Sequence, residues 1–199
     1  MRIALCLAVL ACPIFVRAPE GKTREPAVSL VLGGTRIIPF GPANAREDYG
    51  TRVGLAFASA LQAGELRLPM EWGLSLRTTS IGFSGWFNHD VFTDLQIPVI
   101  FHGALPWWNR LELLALWTPS YTLDMVSTSS FAGNVSGIRS LRTRYNMGFG
   151  GGMQLSFLGA GLRACWVYNL FAPLPATRLT FADLSLEATV PFVWKRVVP

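Results

Sequence analysis

Two residue types that build many functional sites are nearly missing from this 199-residue chain, which has 2 histidines and 3 cysteines. Cys6 and Cys12 fall within the first 18 residues, so the rest of the chain keeps only Cys165. An internal disulfide is thereby excluded, and no run of residues has metal-ligand spacing. Also absent is any apolar stretch near the roughly 18 residues that a membrane helix needs. Yet hydrophobic residues make up 51% of the sequence and mean hydropathy is +0.36. Together these facts argue against a helical membrane protein and leave two homes for the apolar residues. One is a tightly buried soluble fold; the other is a barrel that turns every second residue toward lipid. Charge is sparse too. The net of +5 comes from 17 basic and 12 acidic residues. It falls to +3 (15 minus 12) if Arg2 and Arg17 leave with a signal, too mild for a nucleic-acid partner.

What is present begins with an export segment. Residues 1–18 open on Arg2, continue through the apolar stretch Ile3 to Leu10, and end on the small residue of Val16-Arg17-Ala18, as a signal peptide does. Val9-Leu10-Ala11-Cys12 offers the alternative of lipid attachment at Cys12. Residues 19–26 (PEGKTREP) are polar and proline-bounded, and are expected to form a flexible lead-in. Residues 27–194 are expected to form one folded unit, and 195–199 a short C-terminal extension.

That unit alternates with a period of two. Tyr49, Thr51, Val53, Leu55 and Phe57 interleave with Gly50, Arg52, Gly54 and Ala56; Leu66, Leu68, Met70, Trp72, Leu74 and Leu76 interleave with Arg67, Pro69, Glu71, Gly73, Ser75 and Arg77. A period of two is the signature of a strand with unlike faces, and Gln62 to Gly64 makes a hairpin of this pair. The pattern returns over Asp94 to Phe101, Tyr145 to Phe157, Leu162 to Leu170 and Asp183 to Trp194. It is less clean over Ala27 to Ile38 and over Arg110 to Leu123, where Leu114 and Leu116 fall on the small-residue face. Connections alternate between long (Pro39 to Asp48, Gly82 to Val91, Asp124 to Arg144) and short (Gln62 to Gly64, Gly103 to Asn109, Leu158 to Gly161). The expected fold is all-β: an antiparallel transmembrane β-barrel of about eight strands, with short periplasmic turns and longer outer loops.

The two faces differ in a way that orients them. A soluble barrel puts its bulky residues inside and Lys and Glu outside. Here the face opposite the bulky one is mostly Gly, Ala and Ser, which suits a narrow bore. Its charges, Arg52, Arg67, Arg77 and Arg163 against Glu71, Asp94, Glu112, Asp183 and Glu187, are expected to pair inside and plug the lumen. Aromatic residues collect toward both ends of the strands. Tyr49, Tyr121, Tyr145 and Tyr168 fall on the outer side; Phe101, Trp107, Trp108, Phe157, Phe192 and Trp194 fall on the periplasmic side, as interfacial girdles do.

Asp94-Leu95-Gln96-Ile97-Pro98-Val99-Ile100-Phe101, followed by Leu113-Leu114-Ala115-Leu116-Trp117-Thr118-Pro119-Ser120-Tyr121, resembles the L-x-I-P and G-P-S-like strands of PorT-like outer-membrane β-barrels. The glycine-rich strand ending at Phe157, with Gly161 to Leu170 after it, resembles that family's next hairpin. Trp117-Thr118 departs from the small pair often found there, and Lys195 to Pro199 run past the usual terminal aromatic. The resemblance implies an outer-membrane barrel; most such barrels have no known activity and a few serve in secretion complexes.

Sites read from the sequence are few. Arg139, Arg142 and Arg144 place three cations in the third outer loop, where lipopolysaccharide phosphates lie; a basic rim at a strand start is the plainer account. His89 with Asp90 and Ser84 carries the alternative of an outer-leaflet hydrolase acting on lipid. The leading expectation is a non-enzymatic barrel of the bacterial outer membrane, structural, adhesive or part of an envelope or secretion complex. No cofactor is expected, and its partners would be membrane lipid, lipopolysaccharide and envelope proteins. A narrow pore or carrier for small hydrophobic molecules, and a soluble periplasmic binding barrel, are the remaining alternatives.

Overall fold

A computed structural model of the chain describes residues 24–40, 45–63, 66–83, 88–105, 107–129, 133–136, 143–157, 160–170 and 180–196. The signal segment of residues 1–18 lies outside the described residues. Among the described residues, eleven strand segments succeed one another: β1 (Arg24–Phe40), β2 (Ala45–Arg46), β3 (Asp48–Ala63), β4 (Leu66–Phe83), β5 (Asn88–Gln96), β6 (Val99–Leu105), β7 (Trp108–Ser129), β8 (Gly133–Ser136), β9 (Tyr145–Phe157), β10 (Ala160–Asn169) and β11 (Thr180–Arg196).

They close into a ring. Each main strand pairs antiparallel with its neighbour in sequence, and β1 pairs with β11 over its whole length, leaving the wall without an open seam. The ring has eight staves, because β5 and β6 form one stave and β2 and β8 are short additions beside β4 and β7. Pro98 interrupts the β5–β6 stave. It has no N–H to give, so its carbonyl accepts from the Gly73 N–H at 2.9 Å while the reciprocal ladder bond is missing.

Strand limits differ from the sequence reading in physically simple ways. β1 begins inside the expected lead-in and β11 continues to Arg196, because Arg24 and Arg196 are ladder partners and each strand end satisfies the other. β7 passes through its expected end at Leu123 to Ser129. A bulge opposite Thr93 and Asp94 lets Leu123 and Asp124 both face outward, after which Met125 turns in. His89 and Asp90, expected in a loop, stand in β5.

Alternation sets the facing. Along β10, Leu162, Ala164, Trp166 and Tyr168 are exposed while Arg163, Cys165, Val167 and Asn169 are buried. Leu74 and Leu76 are exposed beside buried Ser75 and Arg77 in the same way. The outward apolar side chains therefore form a continuous band. The 13 residues of β9 run from Tyr145 to Phe157; at about 3.3 Å per residue and a tilt of about 40° they rise about 30 Å, the depth of a bilayer's hydrocarbon core.

The inner face is bulkier than glycine, alanine and serine alone. Ile37, Ile81, Phe92, Met125 and Phe181 meet in one buried cluster near the outer mouth; Ile100, Leu114, Leu116, Cys165 and Val167 form a second. The second comes from β6, β7 and β10 and lies over β9, whose inward glycines leave it room. A Cβ at Gly148 would stand 2.3 Å from Thr118 Oγ1 and 2.5 Å from Val167 Cγ1.

Candidate functional site

The inward charges are arranged by the register of the sheet. Asp94, Arg77, Arg52, Gly33, Glu187, Arg163, Gln154, Glu112 and Ala104 are successive ladder partners around the ring. The row thus returns to the β5–β6 stave at Ala104, ten residues nearer the periplasmic end than Asp94, where it began. A row that descends this far in one circuit describes a spiral, and strands tilted by about 40° produce it.

Three arginines anchor the spiral at different depths. Near the outer end Arg77 donates to Asp94 Oδ2 at 2.7 Å and, across the bore, to Asp183 Oδ2. Thr122 holds the other oxygen of Asp94 at 2.7 Å, Asn169 donates to Asp183 at 3.1 Å, and the guanidinium lies 5.5 Å from the centre of the Phe181 ring. Midway down, Arg52 donates to Glu187 Oε1 at 2.6 Å and to Ser75 Oγ at 3.1 Å. That pair passes over β1, which is possible only because Gly33 has no side chain: a Cβ there would lie 2.7 Å from Glu187 Cγ. Toward the periplasmic end Arg163 makes a fork-like pair across the bore with both oxygens of Glu71, one bond at 2.7 Å, and its Nε donates to Gln154. Gln154 also donates to Glu112 at 3.3 Å, and Glu112 meets His102 Nδ1 at 2.8 Å.

Eight of the nine charges read from the sequence therefore stand in this network. Arg67 lies in β4 with its side chain outside the described residues. What sequence reasoning missed are the uncharged members, Ser75, Thr122, Gln154 and Asn169, and the apolar cluster above Arg77. Burial makes the network strict. Arg77, Arg163 and Glu187 are almost wholly enclosed, and an enclosed charge without a partner is costly. Two carboxylate oxygens still have no hydrogen-bond partner among the described residues, Asp183 Oδ1 and Glu187 Oε2.

The outer rim is built differently. Tyr121 and Tyr145 stack edge to face with centroids 5.0 Å apart at the last β7–β9 pair, and exposed Arg144 donates to the Tyr121 hydroxyl at 3.3 Å. Arg139 and Arg142 lie outside the described residues. Glu47, in the long connection read over Pro39 to Asp48, is exposed but paired with Arg36, whose Nε donates to it at 2.9 Å. Of the hydrolase alternative, Asp90 is buried on the inner side and accepts a hydrogen bond from Ser127; Ser84 and the side chain of His89 lie outside the described residues.

No family model matches the chain, so the resemblance to PorT-like barrels rests on its short motifs alone, and no curated protein matches it. Solved structures do match. Ail, the attachment invasion locus protein of Yersinia pestis, in complex with the heparin analogue sucrose octasulfate, superposes with a TM-score of 0.51 at 12% identity, over 84% of this chain and 99% of that one. A second crystal structure of Ail gives 0.49 at 14% identity over the same shares. The outer membrane enzyme PagL gives 0.40 at 13%, over 81% and 99%. Identity this low speaks for the fold: the chain has the fold of the small outer-membrane β-barrels.

Proposed function

We propose that this protein is a non-enzymatic component of the bacterial outer membrane, a plugged barrel that presents its outer rim for adhesion or to an envelope or secretion complex. The observation that carries this reading is the occupancy of the bore. Its own arginines and carboxylates bridge it at three depths and an apolar cluster sits at the outer mouth, so the surfaces left for partners are the rims. Support for the membrane setting comes from the outward apolar band, bounded by exposed Tyr49 and Tyr145 on one side and by Phe157 and Phe192 on the other.

At the outer rim the proposed partners are anionic sugars, lipopolysaccharide first. Arg144 beside Tyr121 and Tyr145 offers a guanidinium at the level of lipid phosphates, and Arg139 and Arg142 belong to the same segment of chain. Ail, the structural neighbour, was crystallised with a sulfated sugar, which is the same chemistry of ligand.

The test is membrane fractionation of the exported protein together with its gel mobility before and after boiling. Recovery in the outer membrane with heat-modifiable mobility is expected. Soluble recovery, or mobility indifferent to boiling, refutes the barrel in the membrane.

A further inference from the structure

The two partnerless oxygens are not equivalent. Asp183 Oδ1 belongs to a carboxylate that already takes Arg77 and Asn169 on its other oxygen, at the crowded outer end. Glu187 Oε2 stands beside an arginine engaged elsewhere. Glu187 is the direct ladder partner of Arg163, on the adjoining strand and the same face, yet Arg163 reaches across the bore to Glu71. Meanwhile Arg52 and Ser185 occupy Glu187 Oε1 alone, at 2.6 and 3.1 Å. A buried acceptor left open beside a long, flexible cation is a second seat for that cation.

We propose that Arg163 is a latch with two positions. Seated on Glu71 it closes the periplasmic half of the lumen; swung onto Glu187 Oε2 it lies along its own wall and opens that half to water and small cations. The swing exchanges one carboxylate for another, so no buried charge is left bare on the arginine, and Glu71, the more exposed of the two acids, is freed where water can reach it. Sharing one charged group between two partners has a precedent in the same bore, where Arg77 serves both Asp94 and Asp183. The apolar cluster of Ile37, Ile81, Phe92, Met125 and Phe181 lies beyond this region, so the open latch leads to a chamber and not through the membrane. Glu71 and Glu112 give that chamber acidic walls, which favours cations over anions.

The protein carries its own reporter. Cys165 is two residues along β10 from Arg163 on the same inner face, is buried, and is free. In the exported chain reconstituted in lipid nanodiscs, 2-aminoethyl methanethiosulfonate, a small cationic thiol reagent, should modify Cys165 only when the latch is open; the product is read by peptide mass. Glu71→Gln weakens the closed seat and should speed modification by about tenfold or more. Glu187→Gln weakens the open seat and should leave the rate at or below that of the unaltered protein, although it disrupts a buried pair with Arg52. If modification merely tracked loosening of the barrel, both changes would speed it, and that result overturns the latch, as does an unchanged rate in Glu71→Gln. Should Glu71→Gln fail to insert, Gln154→Ala removes the second tether of the closed arginine. It should speed modification, and adding Glu187→Gln should slow it again; persistence of the fast rate in the double variant overturns the proposal equally. The inference rests on the membrane-barrel reading, so heat-modifiable mobility of every variant is recorded alongside: loss of that behaviour in the unaltered protein counts against the barrel, whereas its retention with the wrong order of rates counts against the latch alone.

Discussion

Glu187→Ala is the sharpest probe of what the bore contributes to stability. Its carboxylate is 1% exposed and the side chain of its partner Arg52 8%, with 2.6 Å between the bonded atoms. The substitution leaves the guanidinium with Ser75 Oγ at 3.1 Å in a space with little water. Removing one member of such a pair costs about 3–5 kcal/mol, mostly as the penalty on the surviving charge. Glu47→Ala is the matched control, because it also deletes the acid of an arginine pair, but in a pair whose Arg36 and Glu47 side chains are 51% and 47% exposed. Exposed pairs contribute little, since water solvates whichever partner remains. Urea unfolding of the folded barrel in lipid bilayers, followed by loss of its compact form on unheated gels, should separate the two variants by about 2–5 kcal/mol. At roughly 1.4 kcal/mol per factor of ten, that is between about one and four decades in the unfolding constant. Equal destabilisation by both would refute the reasoning, because the bore would then be as wet as the surface.

Leu74→Arg places a cation on the lipid face of β4 and should reduce insertion by about 2–4 kcal/mol, while Ser75→Ala, one residue along and facing inward, should cost about 1 kcal/mol through the lost Arg52 contact; folding yields in vesicles measure both. Gly33→Val should be worse than Gly34→Val in the same unfolding assay, since a Cβ at Gly33 meets Glu187 whereas one at Gly34 meets nothing within 4 Å. Planar-bilayer recording of the unaltered protein should show no stable unitary current, and regular current steps would place a pore ahead of the plugged barrel. Arg144→Ala should weaken binding of nanodisc-embedded barrel to lipopolysaccharide aggregates without altering unfolding, and unchanged binding would remove this residue from the rim site.

The wall of the barrel is legible in the sequence because alternation is local: Leu74, Ser75, Leu76 and Arg77 announce their faces in four consecutive letters. Phase is lost where a bulge breaks the count. After Leu123 and Asp124 both face out, Met125 lands on the inner face against its expected parity, so alternation alone ends the strand too early. The apolar cluster at the outer mouth stays hidden for a related reason. Ile81, Phe92, Met125 and Phe181 lie in stretches that length and composition assign to loops or to strand ends. Which acid meets which arginine is beyond the sequence as well, because pairing across a bore depends on strand tilt and not on neighbourhood along the chain.

If strands stood upright, Asp94, Arg77, Arg52, Glu187, Arg163 and Glu112 would form a flat ring at one depth, and each arginine would meet mainly its neighbours in the wall. Because the row drops ten residues per circuit, residues separated along a strand are brought to matching depth across the bore. Glu71, six residues from Arg77 on β4, thus faces Arg163 on β10, and Asp183, four residues from Glu187 on β11, faces Arg77. The arginines are thereby distributed over the height of the lumen instead of crowding at one level, which spaces like charges apart and closes the bore at several depths. A barrel of the same strand number with a different tilt would bring different residues to matching depth. The pairing of Arg77 with Asp183 and of Arg163 with Glu71 is therefore a reading of the tilt itself: cysteines placed at Glu71 and Arg163 should crosslink with a short bifunctional reagent, whereas cysteines at Glu71 and Arg77, about 20 Å apart on one strand at any tilt, should not, and failure of the first pair to crosslink would mean that the strands are inclined differently.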